Sequence, residues 1–293
     1  MANEPYRIPR WARALLAADK VACRIASVRE AMRDELLLAF IPPEDRTALT
    51  AAIYAGQDTY LPTGHRFQSG LFPWEQRMID APSFPRKGHI LIGAAGAGRE
   101  LMALLARGYS VTAFDPCATF VESALPLVRD KPAEILCGSY EDLIGATEGK
   151  QTRLSGLLKK PAFDAVILGW GSLSHVLPAA SRRALFRALR TVAPNGPVLA
   201  SFVVQHDMPG PPENKGRVRN ALRRAFAAVG APGISEPGDF FFPNAGFFSY
   251  LAPDEIPQFA FEAGYEVTVF EDGPYPHALF TPLHVSGFAK GNP

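Results

Sequence analysis

Apolar residues near the start of the chain recur three and four positions apart. Leu15, Val21, Ile25, Val28, Met32, Leu36 and Leu37 follow that spacing, which predicts one or two amphipathic helices over residues 11–40, stopped by Pro42 and Pro43. A further helical stretch covers 44–55, an aromatic, glycine-containing loop covers 60–73, and a short helix covers 74–79. From Lys87 the pattern changes to alternating strand and helix. Strands are expected at 89–92, 110–114, 133–137, 163–168 and 196–204, with helices at 99–107, 119–128 and 181–192. Such alternation predicts a parallel sheet covered on both faces, an α/β doubly wound fold.

An insert of about fifty residues separates the fifth strand from a helix at 254–263, too long for a simple connection. Its first half, 213–229, is a basic helix carrying Lys215, Arg217, Arg219, Arg223 and Arg224, and its second half, 240–250, holds five phenylalanines. Two final strands, at 265–270 and 278–288, are expected to pair antiparallel and close the sheet. The basic helix reads as a solvated face, with phosphate or RNA binding as the alternative.

Composition narrows the class. The 293 residues are 47% apolar and 20% charged, so the chain can bury a sizeable core. A formal net charge of +1 gives no global field toward nucleic acid or anionic lipid, which makes nucleic acid an unexpected partner. Cys23, Cys117 and Cys137 form neither a CxxC motif nor a Cys/His cluster, so no disulfide framework and no metal site is expected. The first ten residues lack the pattern of a secretion signal, and no run of 18 apolar residues occurs. A cytoplasmic protein without a membrane span is the expectation.

The chemistry concentrates in residues 89–115, HILIGAAGAGRELMALLARGYSVTAFD. A buried strand runs into Gly93, Gly96 and Gly98, then a helix, then a second strand ending in Asp115. Glycines let a backbone approach a ligand closely, a helix N-terminus offers unpaired N–H groups, and a strand-end carboxylate accepts hydrogen bonds from vicinal ribose hydroxyls. The spacing is G-A-A-G-A-G with Glu100 close behind. A negative charge there is poorly placed beside a pyrophosphate and acceptable beside a cationic sulfonium.

This stretch resembles motif I and the following strand of class I S-adenosylmethionine-dependent methyltransferases. The likeness continues in order through Leu136–Leu143 (LCGSYEDL), Phe163–Gly171 (FDAVILGWG) and Leu189–Phe202 (LRTVAPNGPVLASF), and covers roughly 87–202. The resemblance implies a doubly wound, seven-stranded, mostly parallel sheet of the Rossmann-like methyltransferase kind, with an N-terminal helical extension and lid over 1–80. The methyltransferase domain would then run over 81–293, with an insert after the fifth strand, at about 206–250, capping the substrate. It implies S-adenosyl-L-methionine as cofactor, with Gly93, Ala94, Gly96 and Gly98 around the methionine moiety, Asp115 on the ribose, Ser139 and Tyr140 at the adenine, and Gly169 and Trp170 beside the sulfonium. Many members carry Asp where this chain has Ser139, and Glu141 or Asp142 is the expected substitute.

A base is needed only when the acceptor is a hydroxyl or a protonated amine. His175, five residues beyond Trp170 at the C-terminal edge of the fourth strand, is one candidate; its alternatives are a helix cap or a bond to a loop carbonyl. His206 is the second candidate. Tyr60, His65 and Trp74 before the main domain, with Phe247 and Tyr250 in the insert, are the candidate substrate contacts, against plain packing roles. The expected reaction is methylation of an O or N atom of a small molecule, as in a biosynthetic pathway. A peptide or protein acceptor, and a nicotinamide-dependent oxidoreductase, are the alternatives.

Overall fold

The computed structural model describes residues 8–204, 213–233, 235–271, 273 and 275–283. Its helices are α1 (Arg10–Phe40), α2 (Pro43–Ala55), α3 (His65–Gln68), α4 (Pro73–Ile79), α5 (Arg99–Ala106), α6 (Ala118–Val128), α7 (Tyr140–Thr147), α8 (Ala179–Val192), α9 (Glu213–Ala228) and α10 (Glu255–Glu262). Its strands are β1 (His89–Gly93), β2 (Ser110–Asp115), β3 (Ala133–Cys137), β4 (Ala165–Leu168), β5 (Val198–Ser201), β6 (Asp239–Phe242), β7 (Gly246–Ser249), β8 (Tyr265–Glu271) and β9 (His277–Pro282).

The chain forms two compact units, Met1–Pro42 with Pro209–Ser235, and Pro43–Met208 with Glu236–Pro293. In the smaller, α1 is one continuous helix of 31 residues, because no proline or glycine interrupts residues 10–40. It packs against α9. Arg219 donates to Glu35 Oε1 at 3.0 Å and to Asp34 Oδ2 at 2.5 Å, and Arg223 donates to Glu35 Oε2 at 2.9 Å. Asp34, Glu35 and Arg219 are all buried. Two of the arginines expected on a solvated or phosphate-binding face are therefore turned inward, drawn by carboxylates 184 and 188 residues away.

The larger unit holds a seven-stranded sheet in the order β3-β2-β1-β4-β5-β9-β8. The first five strands run parallel, and β9 runs antiparallel to both β5 and β8. Alternate β1 residues feed two cores: Leu91 packs with Phe186, Leu189 and Phe259 on one face, and Ile90 and Ile92 with Leu101, Leu104 and Val121 on the other. The chain moves outward from β1 through β2 and β3, then returns to lay β4 on the other side of β1. A crevice opens at that reversal, beyond the C-terminal ends of β1 and β4.

The units divide the sequence differently from the expected blocks at 1–80 and 206–250. Residues 43–80 belong with the sheet, and the insert is split: α9 joins α1, whereas the phenylalanine-rich stretch forms the β6–β7 hairpin of the larger unit. Alternation explains the hairpin, since Phe241 and Phe247 face inward as a pair while Phe240, Phe242 and Phe248 are half-buried.

Candidate functional site

The crevice is built first by the loop between β1 and α5. Gly93 must be glycine because a Cβ there would sit 2.6 Å from the Tyr140 ring and 2.9 Å from Phe114. The Gly169 N–H donates to the Gly93 carbonyl at 2.8 Å, and a Cβ on Gly169 would collide with the Ala94 carbonyl. Gly93 and Gly169 thus bring backbone and ring together and do not themselves line the cleft, while Gly98 caps α5 at φ 93°. Of the predicted loop residues, Ala94 and Gly96 line it.

Asp115, at the end of β2, is 6% exposed and lines the same cleft. The Gly96 N–H donates to its Oδ2 and the Cys117 N–H to its Oδ1, both at 2.8 Å. Burial pushes its carboxyl up to about 6, against the pull of those two N–H groups. Each oxygen takes one backbone proton and keeps a further acceptor site for a ligand hydroxyl.

Behind the loop, Arg99 joins two carboxylates. It donates to Glu75 at 2.6 Å through both terminal nitrogens, to Glu100 at 2.5 Å, and to the Gly70 carbonyl at 2.6 Å. Burial lowers the guanidinium's pKa, but Glu100 and Glu75 outweigh it and the net direction is upward. Burial raises Glu75 to about 7, so its negative charge is partial near neutral pH, and Glu100 and Arg99 both form wall here.

Also in the lining, Ser139 caps α7, accepting from the Asp142 N–H at 3.2 Å while Asp142 accepts from the Ser139 N–H at 3.0 Å. That capping box occupies Asp142 and leaves Glu141, which lines the cleft with Ser139 and Tyr140. The Tyr140 hydroxyl pairs with Ser172 Oγ at 2.7 Å, and burial raises its pKa. Cys117 and Phe120, which the sequence did not single out, also line the cleft, in an apolar cluster with Ala97 against Tyr54 and Tyr60.

The far wall comes from α2 and the hairpin. The Phe247 carbonyl lies 2.7 Å from His175 Nδ1 and can only accept, so Nδ1 carries the proton and Nε2 keeps its lone pair. The Tyr54 hydroxyl sits 3.3 Å from that Nε2. Burial lowers the His175 pKa, with the Phe247 carbonyl opposing, so the ring is neutral near neutral pH. The expected alternative, a bond to a loop carbonyl, is present on Nδ1, while Nε2 accepts from the Tyr54 hydroxyl. Thr50 Oγ1 accepts from the Phe247 N–H at 3.2 Å, and Thr47 Oγ1 donates to Glu141 at 3.1 Å. Thr47, Thr50 and Tyr54 lie three and four positions apart, a one-face spacing in the sequence that marks them as a group.

Trp170 and Tyr60 line the cleft, Trp170 lying under the Arg66 guanidinium at 4.9 Å from its ring centre. Three predicted substrate contacts lie elsewhere. Trp74 is a core residue, 4% exposed and stacked on His277 at 4.6 Å, because the apolar face of α4 packs on the sheet. His65 is exposed and within 3.0 Å of the Thr59 hydroxyl, and Tyr250 packs on Phe240 and Phe248 in the hairpin. His206 lies outside the described residues. Phe247 does line the cleft.

The cleft is lined by residues of α2, the β1–α5 loop, the end of β2, the start of α7, the segment after β4 and the hairpin. Among the described residues no group of three His, Cys, Asp or Glu side chains is placed to hold a metal, and no helix is long and apolar enough to cross a membrane.

No family model matches the chain, and no curated protein matches it. Among solved structures, the PH0226 protein from Pyrococcus horikoshii OT3 is similar over 79% of this chain and 98% of its own, with 18% identity and a TM-score of 0.53. A SAM-dependent methyltransferase from Methanosarcina mazei matches 73% of this chain and 99% of its own, at 15% identity and a TM-score of 0.49. The 1,6-didemethyltoxoflavin-N1-methyltransferase of Burkholderia thailandensis matches 96% and 93%, at 14% identity and a TM-score of 0.45. Of these, the likeness to the Pyrococcus horikoshii protein speaks for the fold. With five parallel strands, an antiparallel β9 between β5 and β8, and a glycine loop at the reversal point, this chain has the Rossmann-like methyltransferase fold.

Proposed function

We propose that the chain binds S-adenosylmethionine in this cleft and methylates an O or N atom of a small molecule, with His175 as the proton acceptor. The observation that carries the reading is the join between loop and acid: Gly96 N–H held on Asp115 Oδ2, with both residues facing the cleft. A ribose diol suits the remaining acceptor sites of Asp115, the adenine suits the Ser139–Glu141 end, and a sulfonium suits the wall backed by Glu75, Arg99 and Glu100.

When bound, the cofactor supplies a methyl group on a cationic sulfur that is already a strong alkylating agent. The protein's part is then positioning and exclusion of water. Ala94 and Gly96 leave room along the loop, Trp170 and Tyr60 wall the space, and α2 covers it. A neutral His175 takes a proton from an acceptor hydroxyl or ammonium that displaces the Tyr54 hydroxyl from Nε2, and the Phe247 carbonyl stabilises the imidazolium that results.

Calorimetry with S-adenosylhomocysteine and, separately, with NAD tests the cofactor. Binding of S-adenosylhomocysteine alone is expected, and binding of NAD alone would sink the reading. Release of S-adenosylhomocysteine with a panel of phenols, alcohols and amines then tests the acceptor class.

A further inference from the structure

Helix α1 carries a surface that the cleft does not use. Trp11, Leu15, Val21, Ile25, Val28 and Met32 are 71, 63, 54, 66, 49 and 39% exposed, all on large apolar side chains. At 100° per residue they fall on one stripe, opposite the face where Ala31, Asp34 and Leu38 are buried. Residues 13–25 are all exposed, thirteen consecutive positions of α1 that no described residue covers.

We infer that α1 pairs with α1 of a second copy of the chain. Three features of the stripe select that occupant. Positions 11, 18, 25 and 32 repeat at intervals of seven, with 14, 21 and 28 between them. That spacing keeps a seam facing a second helix, where a plain 3.6 period would drift. Between Trp11 and Val21 the seam carries Ala14 and Ala18, which provide the holes that a facing helix needs and that a lipid surface does not reward. With partly exposed side chains presenting on the order of 100 Å² each, the stripe offers about 600–800 Å² per chain, close to the per-partner area of a standard stable interface. A twofold arrangement satisfies both copies at once, because the same patch serves as donor and receiver.

The test is light scattering and sedimentation of the full chain. The wild type is expected at twice the 31.8 kDa of one chain. Ile25→Glu with Val28→Glu is expected to weaken association more than a hundredfold and give monomers, while helix content and S-adenosylhomocysteine binding stay as in the wild type. The milder pair Leu15→Ala and Ile25→Ala, which keeps every helix former, is expected to weaken association about tenfold, so a folding defect in the charged variant cannot imitate the result. A monomeric wild type, a dimer untouched by both pairs, or a monomer that sediments with phosphatidylserine vesicles each overturns the inference. None of these outcomes depends on the reading of the cleft.

Discussion

The two walls of the cleft are made in different ways. The wall of Ala94, Gly96 and Asp115 comes from neighbouring strands of one sheet, and its key contact joins residues 19 apart. The wall of Tyr54, His175 and Phe247 comes from a helix, a turn and a hairpin, joined by contacts spanning 121, 72 and 197 residues. The first wall is set by backbone geometry and suits a ligand common to many proteins. The second is set by side chains, so on the proposed reading it is the wall that selects the acceptor and where small changes act most locally.

That contrast predicts separable losses. His175→Ala is expected to lower turnover by about 10²–10⁴-fold, the usual worth of a positioned base, with S-adenosylhomocysteine affinity unchanged. A matching loss of affinity in calorimetry would mean that the walls are not independent. Asp115→Ala is expected to weaken S-adenosylhomocysteine binding by about 1–3 kcal/mol, as a buried charged partner is removed, and equal affinity for both proteins would remove Asp115 from the ribose. Gly93→Ala, which drives a methyl group into Tyr140 and Phe114, is expected to cost about 1–3 kcal/mol of stability in denaturant titration.

The pH dependence sharpens the comparison. Asp115 has a folded value of about 6, above its unfolded one, so between roughly pH 4 and 6 the folded chain holds more protons than the unfolded chain. Its contribution to stability therefore falls as pH rises through that window. Cofactor affinity runs the other way, because hydroxyl binding needs the carboxylate, and it is expected to drop as pH falls through about 6. Asp115→Asn should flatten both curves. The smallest expected effect belongs to Tyr54→Phe, about 0.5–1.5 kcal/mol in kcat/KM, with the acid limb of the rate profile moving to higher pH once the neutral ring loses its donor. An unmoved acid limb would show that Tyr54 does not act on His175.

The same contrast explains what could be read in the sequence. The positions of the parallel strands, the glycine loop and Asp115 follow from local periodicity and from glycine spacing over about 25 residues, so they are legible; the order of the strands in the sheet depends on pairing between distant segments and is not. Gly93 and Gly169 are legible as glycines, but only the three-dimensional position of Tyr140 and the Ala94 carbonyl shows what a Cβ would strike. Trp74 is legible only as an aromatic in a loop-rich stretch, which looks the same whether it faces a ligand or a core. Tyr54 went unnoticed because its role exists only through His175. The basic helix looked solvated until Asp34 and Glu35 were placed beside it.

Helix α2 has a consequence for timing. Its Thr47, Thr50 and Tyr54 hold Glu141, Phe247 and His175 respectively, through side chains on a single face. Lifting α2 by even one turn breaks all three attachments together, so the nucleoside end of the cleft and the histidine are uncovered in one movement. On the proposed reading, a substitution on that face is therefore expected to change the residence time of cofactor and acceptor together.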